Sequence, residues 1–489
     1  MSLTILHISD LHRTPDSRIA NSPLVESLVR DSARYTTFEG IGAARIIVVS
    51  GDLVQGVGPS VPPHEADATL ATQYREARDF LRRLVDEFLD GDYARMVIVP
   101  GNHDVSLPHV RRSIRPLTLP TAPKARQELV VALHSPGSLL RWDWESLQFF
   151  EIANQDAYAE RLRPFAEFYE NFYEGHRKYA LSEGDQVDLF EYADLNLSFV
   201  GFSTMFGGDP INKRAAVNPA AVALASQRLR NCAAAIRIAV FHHGFGGGPG
   251  EPDFVHEDFA QQLLDCECTM ALHGHTHRTR FFQQRFLLDA RRILSTVGAG
   301  SLCAGPQALP PAEPRSYNVM ELDIAGTKAR VHRRVQCNDV YLAPLWGPAP
   351  SPRPYATPHE FTMFRCEIAL GILRTKRLDL AFASMRSGDA ITAIESLRPL
   401  LPADEEARSL ATEALGRISD PSLTMEILQT PRNLAEAIVM AFALDELGRT
   451  MELEEVLNGP FLSRADDPAS RDAKAKLETR LAQHKRGTL

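Results

Sequence analysis

Residues 3–12 read Leu-Thr-Ile-Leu-His-Ile-Ser-Asp-Leu-His, an apolar run that closes on Asp10 and His12. A run this short and this rich in apolar and β-branched residues describes a strand, and two metal-ligating side chains stand at its end. Four further segments repeat the arrangement. Ile46–Ser50 precedes Asp52, Met96–Pro100 precedes Gly101-Asn102-His103-Asp104, Ile238–Phe241 precedes His242 and His243, and Met270–Leu272 leads into Gly274-His275-Thr276-His277. Helix-like segments separate these runs, as expected for strands buried between helices in an α/β sheet, whose ligand-bearing ends converge at the carboxyl edge.

Any one of these motifs occurs often by chance. Five in order, each after a strand, describe a two-metal centre for phosphoester hydrolysis. Carboxylate, imidazole and amide oxygen make a mixed nitrogen and oxygen set that suits Mn, Fe or Zn, whereas an all-oxygen cage suits Mg or Ca. If Asp10 and Asp52 are the only anionic ligands, two divalent ions leave surplus positive charge that attracts a phosphate. Metal ions about 3.5–4 Å apart can deprotonate a bridging water and clamp both the attacking and the leaving oxygen.

The set resembles the signature of the calcineurin-like metallophosphoesterase superfamily across Leu3 to about Cys337: Asp-x-His, Gly-Asp, Gly-Asn-His-(Asp/Glu), His and Gly-His-x-His. That resemblance implies a two-layer β-sandwich flanked by helices. It also implies that one metal takes Asp10, His12, Asp52 and His277, and that the other takes Asp52 as a bridge with Asn102, His242 and His275. Mn is the expected metal, with Fe or Zn as alternatives. His103 would protonate the leaving oxygen. Of the adjacent pair, His242 fits the family position, which usually reads His-His-Pro; Gly244 replaces that Pro and leaves His243 beside the ligands. His273 lies two residues before the ligand pair, where strand alternation turns it toward the face of His275; a satisfied structural histidine is the plainer reading.

Many relatives carry an Asp three residues after the Gly-Asp carboxylate, where it orients the catalytic His. This chain has Gln55. An amide carbonyl fixes an imidazole's tautomer without stabilising its charge, so either His103 is less basic or another group, such as Asp104, orients it. Phosphoprotein phosphatases of the superfamily carry Gly-Asp-x-x-Asp-Arg-Gly, whose Arg binds a phosphomonoester. Here Gly51-Asp52-Leu53-Val54-Gln55-Gly56 lacks it. The expected function is therefore hydrolysis of a nucleotide or nucleic-acid phosphodiester by metal-activated hydroxide. The alternatives are a phosphomonoesterase, or an interaction scaffold with a weakly active phosphoesterase fold.

Composition sets bounds. The 62 acidic against 53 basic side chains give a formal charge of −9 and argue against broad nonspecific nucleic-acid binding, while leaving room for a local basic groove. The six cysteines show no zinc spacing, and Cys266-x-Cys268 reads as ordinary packing. The first strand already carries ligands, leaving no room for a cleaved signal peptide, and no apolar run approaches the roughly 20 residues that span a bilayer. The expectation is a reduced, cytoplasmic protein with no membrane partner.

Between the Gly-Asn-His-Asp motif and a strand at Leu195–Phe202 lies an insertion, about residues 105–192, helical in pattern and read as a cap beside the metals. It carries Trp142, Trp144, Phe149, Phe150, Phe165, Phe168, Tyr169, Phe172, Tyr173 and Tyr179. Their spacing of three and four fits helix packing better than base stacking. Arg111, Arg112 and Arg115 lie close in sequence to His103 and are candidates for substrate phosphate, with solvated surface charge as the equal alternative.

After Gly298, Tyr317–Ile324 and Ala329–Val335 read as closing strands, giving a phosphoesterase domain over residues 1–342. Prolines 344, 348, 350, 352, 354 and 358 then mark a linker over 343–358, extended and outside any sheet ladder. Residues 359–489 read as an all-α domain. Ala381–Leu400, with Gly388-Asp389 and Ala393, resembles a tetratricopeptide helical hairpin, echoed more weakly at Gly448. The spacing of the two does not match a 34-residue repeat. Such an array presents a surface to a protein partner or to another copy of the chain.

Overall fold

In the computed structural model the run Leu3–Ile8 forms strand β1, buried at every position, and α1 (Asn21–Arg34) leads from it to β2 (Ala44–Ser50). Helix α2 (Pro63–Phe88) connects β2 to β3 (Met96–Val99), and the three strands pair in parallel. Proline at the start of α2 suits the first helical turn, and Leu70, Tyr74, Ala77, Leu81 and Leu84 recur at the spacing that buries one face. The structure describes residues 2–486 except 59, 134, 136, 144–145, 247–252, 286–292, 326, 351–357, 364–366, 402–403 and 465.

The insertion holds α3 (Leu107–Ser113), β4 (Ile114–Pro116), α4 (Pro123–Leu133), β5 (Leu140–Asp143), β6 (Gln148–Ile152), α5 (Gln155–Ala159) and α6 (Arg163–Phe172). Besides its helices it therefore carries a three-stranded sheet, ordered β4-β6-β5, where the sequence reading had only helix. The alternation is short and interrupted, which hides it from pattern reading. The aromatic cluster is mostly core: Phe165, Phe168, Tyr169 and Phe172 are buried on one face of α6, and the Phe168 ring lies 5.4 Å from that of Tyr74 in α2. Trp144 lies outside the described residues.

The second half of the sandwich runs through β7 (Val187–Tyr192), β8 (Leu197–Phe202), α7 (Pro219–Leu229), β9 (Ile236–Val240), α8 (Glu257–Asp265), β10 (Met270–His273), β11 (Arg280–Arg285) and β12 (Ile293–Gly298). These strands are ordered β11-β12-β10-β9-β8-β7, parallel at the centre and antiparallel at both edges. β13 (Ser316–Asp323), β14 (Lys328–Gln336), β15 (Trp346–Pro348) and β16 (His359–Thr362) then return to the first sheet, which runs β15-β14-β13-β1-β2-β3 with β16 also on β14. Ile5, Val48 and Ile98 of one sheet share a core with Phe199, Ile238 and Leu272 of the other.

Two expectations at the proline-rich stretch need correction. Trp346–Pro348 does join a ladder, because an edge strand tolerates a proline that donates nothing, and Ala349 donates to Arg333 just beyond it. His359–Thr362, read as the start of the helical region, pairs with Lys328–Val331. Prolines 352 and 354 lie outside the described residues.

The chain divides into compact units at Met1–Leu370 and Gly371–Leu489. The second is helical: most of α9 (Glu367–Ser387), then α10 (Ala390–Leu397), α11 (Glu405–Leu415), α12 (Pro421–Leu428), α13 (Leu434–Glu446), α14 (Thr450–Asn458) and α15 (Pro468–Lys485). Asp389, Asp404, Asp420, Asn433 and Asp467 cap five of these helices by accepting a backbone N–H, so their starts are written in the sequence. Its own core includes Ala393, Leu397, Ala411, Leu415, Leu444 and Leu453.

Candidate metal centre

The predicted ligands stand where parallel strands end, and the backbone there is strained. Asp10, His12, Asp52, His275 and His277 have φ of 53°, 44°, 53°, 70° and 52°, in the left-handed region that costs a residue with a side chain about 1–2 kcal/mol. The turns hold one another in this conformation. Asp10 N–H donates to Gly51 O at 3.1 Å, and the N–H groups of Leu11 and His12 donate to Asp52 O at 2.8 and 3.0 Å. Side chains then lock the other loops: Asp52 Oδ1 accepts from His103 N–H at 2.9 Å, and both Asp10 oxygens accept from His275 N–H. Gly51 takes φ of 96°, and a Cβ there would sit 2.5 Å from His242 Nδ1. At Gly274 a Cβ would overlap Ser9 Oγ and Asp10 Oδ2.

Two groups of ligand atoms result. Asp10, His12, Asp52 and His277 have donor atoms within 4.8 Å of one another, and so do His242, His243 and His275. Asp52 stands between them, its Oδ2 3.8 Å from His12 Nε2 and 3.2 Å from His242 Nε2. Asn102 Oδ1 lies 3.1 Å from both His242 Nε2 and His275 Nδ1. His243, read from sequence as standing beside the ligands, is gathered with them; its Nδ1 lies 2.7 Å from Thr204 Oγ1.

Placing the protons tests whether this cluster fits metal. His242 Nδ1 lies 2.8 Å from Ser50 O, and His277 Nδ1 lies 2.6 Å from Ala308 O. A carbonyl oxygen only accepts, so each Nδ1 carries a proton and each ring turns its Nε2 inward, toward the other ligand side chains. Those nitrogens face Asp52 Oδ2 and Asn102 Oδ1 for His242, and Asp10 Oδ1 at 3.1 Å and His12 Nε2 at 3.0 Å for His277. Two carboxylates and an amide oxygen meeting several imidazole nitrogens call for positive charge at their centre, which a proton on Nε2 or a metal ion supplies. Burial opposes charge on both imidazoles, yet the adjoining carboxylates, Asp52 for His242 and Asp10 for His277, raise them to about 9. Burial likewise opposes ionisation of Asp10 and Asp52, and the facing imidazoles still hold both below the ordinary carboxylate range. The residues fit a pair of divalent cations.

His275 has a partner that no motif announced. Its Nε2 lies 3.1 Å from Asp253 Oδ2, leaving Nδ1 on the Asn102 side. A carboxylate on the far nitrogen of a ligand imidazole sets its orientation and basicity. Asp253 sits twenty-two residues upstream in an irregular segment, where no periodicity marks it.

His103 Nδ1 lies 2.6 Å from the backbone oxygen of Gln55. The expectation that the Gln55 side chain fixes this tautomer is thus replaced: the main chain does so, and the Gln55 side chain is exposed. Asp104 does not orient His103 either. Its carboxylate is buried, accepting from Gly101 N–H at 2.8 Å, Leu53 N–H at 3.3 Å and Tyr74 Oη–H at 3.2 Å, and so it braces the two ligand loops. Burial, then the charge of Asp52, pushes its carboxyl up to about 7. His273 is a core residue. Its ring lies parallel to Phe241 at 6.3 Å and its Nδ1 donates to Gly274 O at 3.0 Å; strand alternation ends at Gly274, so it does not share a face with His275.

A cavity of about 990 Å³ opens over Asp52, Asn102, His103, His243, His275 and His277. Of the three arginines, only Arg111 lines it. Arg112 pairs with Asp67 at 2.8 Å and Arg115 with Glu151 at 3.2 Å, so these two belong to exposed ion pairs. Lys213 and Arg214, from the loop after β8, also line the cavity.

No curated protein matches the chain. Among solved structures, TT1561 of Thermus thermophilus aligns at 14% identity over 68% of this chain and 98% of its own, with a TM-score of 0.31. YfkN from Bacillus subtilis, a calcineurin-like phosphoesterase, aligns at 11% identity over 77% and 97%, with a TM-score of 0.27. GAP50, the anchor in the inner membrane complex of Plasmodium, aligns at 10% over 76% and 94%, with a TM-score of 0.33. Among the described residues no helix is long and apolar enough to cross a membrane. The sequence model of the calcineurin-like phosphoesterases matches residues 3–279, more than half of the chain, and the protein belongs to that family of metal-dependent hydrolases.

Proposed function

We propose that the protein is a dinuclear phosphodiesterase acting on a nucleotide or nucleic-acid phosphodiester. The observation that carries the reading is the inward-turned set of Nε2 atoms, oriented by the carbonyls of Ser50 and Ala308 and gathered with the carboxylates of Asp52 and Asp10. Asp10, His12, Asp52 and His277 would hold one divalent ion; Asp52, Asn102, His242 and His275, with His243 adjoining, would hold the other. Mn is the expected metal, and the mixed nitrogen and oxygen donors suit Fe or Zn as well. Bound there, such a pair activates water and offsets charge on the phosphate oxygens.

The chain's own residues supply the rest. With Nδ1–H committed to the Gln55 carbonyl, His103 presents Nε2, and in its protonated form that nitrogen delivers a proton to the leaving oxygen. Asp104 keeps the two loops in register by accepting from both. Diester rather than monoester specificity is supported by the Gly51–Gly56 segment, where Gly56 stands in place of the phosphatases' Arg. The helical unit is read as a surface for a protein partner or a second copy. Among the described residues Cys232, Cys266, Cys268, Cys303 and Cys337 form no disulfide, which fits a reducing cytoplasm.

The test is Mn²⁺-dependent hydrolysis of single- and double-stranded DNA, RNA, cyclic nucleotides, and bis- and mono-p-nitrophenyl phosphate, with Asp52→Asn as the blank. Turnover of diesters in preference to the monoester is expected. Preference for mono-p-nitrophenyl phosphate would make the protein a phosphatase.

A further inference from the structure

The wall of the cavity that faces the metal cluster is built by two elements from different parts of the chain. The insertion contributes Ile114, Pro116 and Phe150 together with Arg111, and the loop after β8 contributes Met205, Ile211, Lys213 and Arg214. A buried network joins them. Arg141 of β5 donates through Nε to Asp209 Oδ2 at 2.6 Å, and Tyr158 of α5 donates its hydroxyl to the same oxygen at 2.8 Å. Asp209 Oδ1 accepts from the N–H groups of Ile211 and Asn212 at 2.9 Å each, which shapes the turn leading to Lys213. Arg141 and Asp209 are each 2% exposed, so the clasp is part of the core.

The clasp neutralises its own charge and leaves the cations beyond it available. Arg111, Lys213 and Arg214 have no ion-pair partner among the described residues, unlike Arg112 and Arg115 close by in sequence. Of the acids on this wall, Asp209 is paired with Arg141 and Asp253 with His275; the Lys213 charge also acts on Asp253, without an ion-pair contact. Asp143 accepts from the Ser146 hydroxyl. Unpaired guanidinium and ammonium groups beside an apolar wall are suited to a second anionic group on a partly apolar ligand.

We propose that Arg111, Lys213 and Arg214 form a second phosphate subsite, so that the substrate is a small nucleotide-sized phosphodiester carrying another phosphate, with its base or other apolar part against Ile114, Phe150 and Ile211. The proposal rests on the phosphodiesterase reading and narrows it from nucleic-acid strands to small molecules. A volume of about 990 Å³ is at the upper end of small-ligand sites and accommodates such a molecule.

The test uses two matched esters, thymidine 5′-(p-nitrophenyl phosphate) with and without a 3′-phosphate, on the full chain with Mn²⁺. The wild type is expected to favour the 3′-phosphorylated ester by about tenfold or more in kcat/KM, the order that a charge-assisted contact supplies. In Lys213→Gln/Arg214→Gln that preference should fall to near one. Calorimetric binding of thymidine 3′,5′-bisphosphate against thymidine 5′-monophosphate reads the same ratio without turnover. If neither ester is hydrolysed, the phosphodiesterase reading fails, and the binding ratio still decides the subsite. A wild-type ratio near one in both assays, or a ratio that survives the double substitution, overturns the subsite. Should the double variant fold poorly, Lys213→Gln alone, at an exposed position, is expected to lower the ratio in the same direction.

Discussion

The floor of the cavity and its wall are built on opposite plans. The floor consists of strand ends in left-handed turns, with its imidazoles locked by main-chain carbonyls and its carboxylates braced by N–H groups. The wall consists of a short three-stranded sheet and a loop, clasped once by Arg141, Asp209 and Tyr158, and its cations are free to meet a ligand. Hydrogen bonds between the turns hold the floor in its strained backbone and so place the ligands. A wall of this kind can change its side chains without disturbing the chemistry below.

If that division is right, substitutions in the floor should remove turnover, and substitutions in the wall should alter stability or selectivity. The largest effect is expected at Asp52, which stands between both ligand groups. Asp52→Asn should abolish nearly all hydrolysis and lower the metal content measured by elemental analysis; retention of both would remove the bridge. Next, His103→Ala should keep its metal and lose about 10²–10⁴-fold in kcat, the contribution of a general acid. Full activity in that variant would reassign the proton donor.

The clasp gives the sharpest test of the wall. Asp209→Asn leaves the buried Arg141 guanidinium without its charge partner, and removing one member of a buried pair costs about 3–5 kcal/mol. A fall in the thermal midpoint of the phosphoesterase unit is expected, and an unchanged midpoint would show that the clasp holds nothing. Asp253→Asn is a milder change. It weakens the grip on His275 Nε2, and loss of such an outer partner typically costs about 10–100-fold in metal affinity. Titration of the metal-free protein with Mn²⁺ would measure it.

The two regions also differ in how far the sequence discloses them. Each floor ligand follows an apolar run, so strand order and ligand order could be read together; β1, β2, β3, β9 and β10 lie where Leu3–Ser9, Ile46–Ser50, Met96–Pro100, Ile238–Phe241 and Met270–Leu272 suggest. The helix starts of the second unit carry Asp and Asn caps, a local signal that the all-α reading of residues 359–489 did not use. Asp253, Lys213 and Arg214 were not legible, because they sit in irregular loops and gain meaning only from neighbours far away in the chain. Arg112 and Arg115 misled for the converse reason: nearness to His103 in sequence says nothing about Asp67 and Glu151, which claim them.

Gln55 supplies the smallest expected effect and a discriminating one. As a departure from the family pattern it pointed to an altered catalytic histidine, with the side-chain amide doing the work of a missing carboxylate. In the structure the histidine's partner is the Gln55 main-chain oxygen, 2.6 Å from Nδ1, which any residue at this position would present. Gln55→Ala should therefore leave both kcat and its pH profile close to those of the wild type. Gln55→Asp tests the other half of the argument: placed near His103, a carboxylate would stabilise the imidazolium and move the limb of the profile that reports this acid to higher pH. A large loss in Gln55→Ala would show that the amide does act on His103, and the main-chain account of its tautomer would then be wrong.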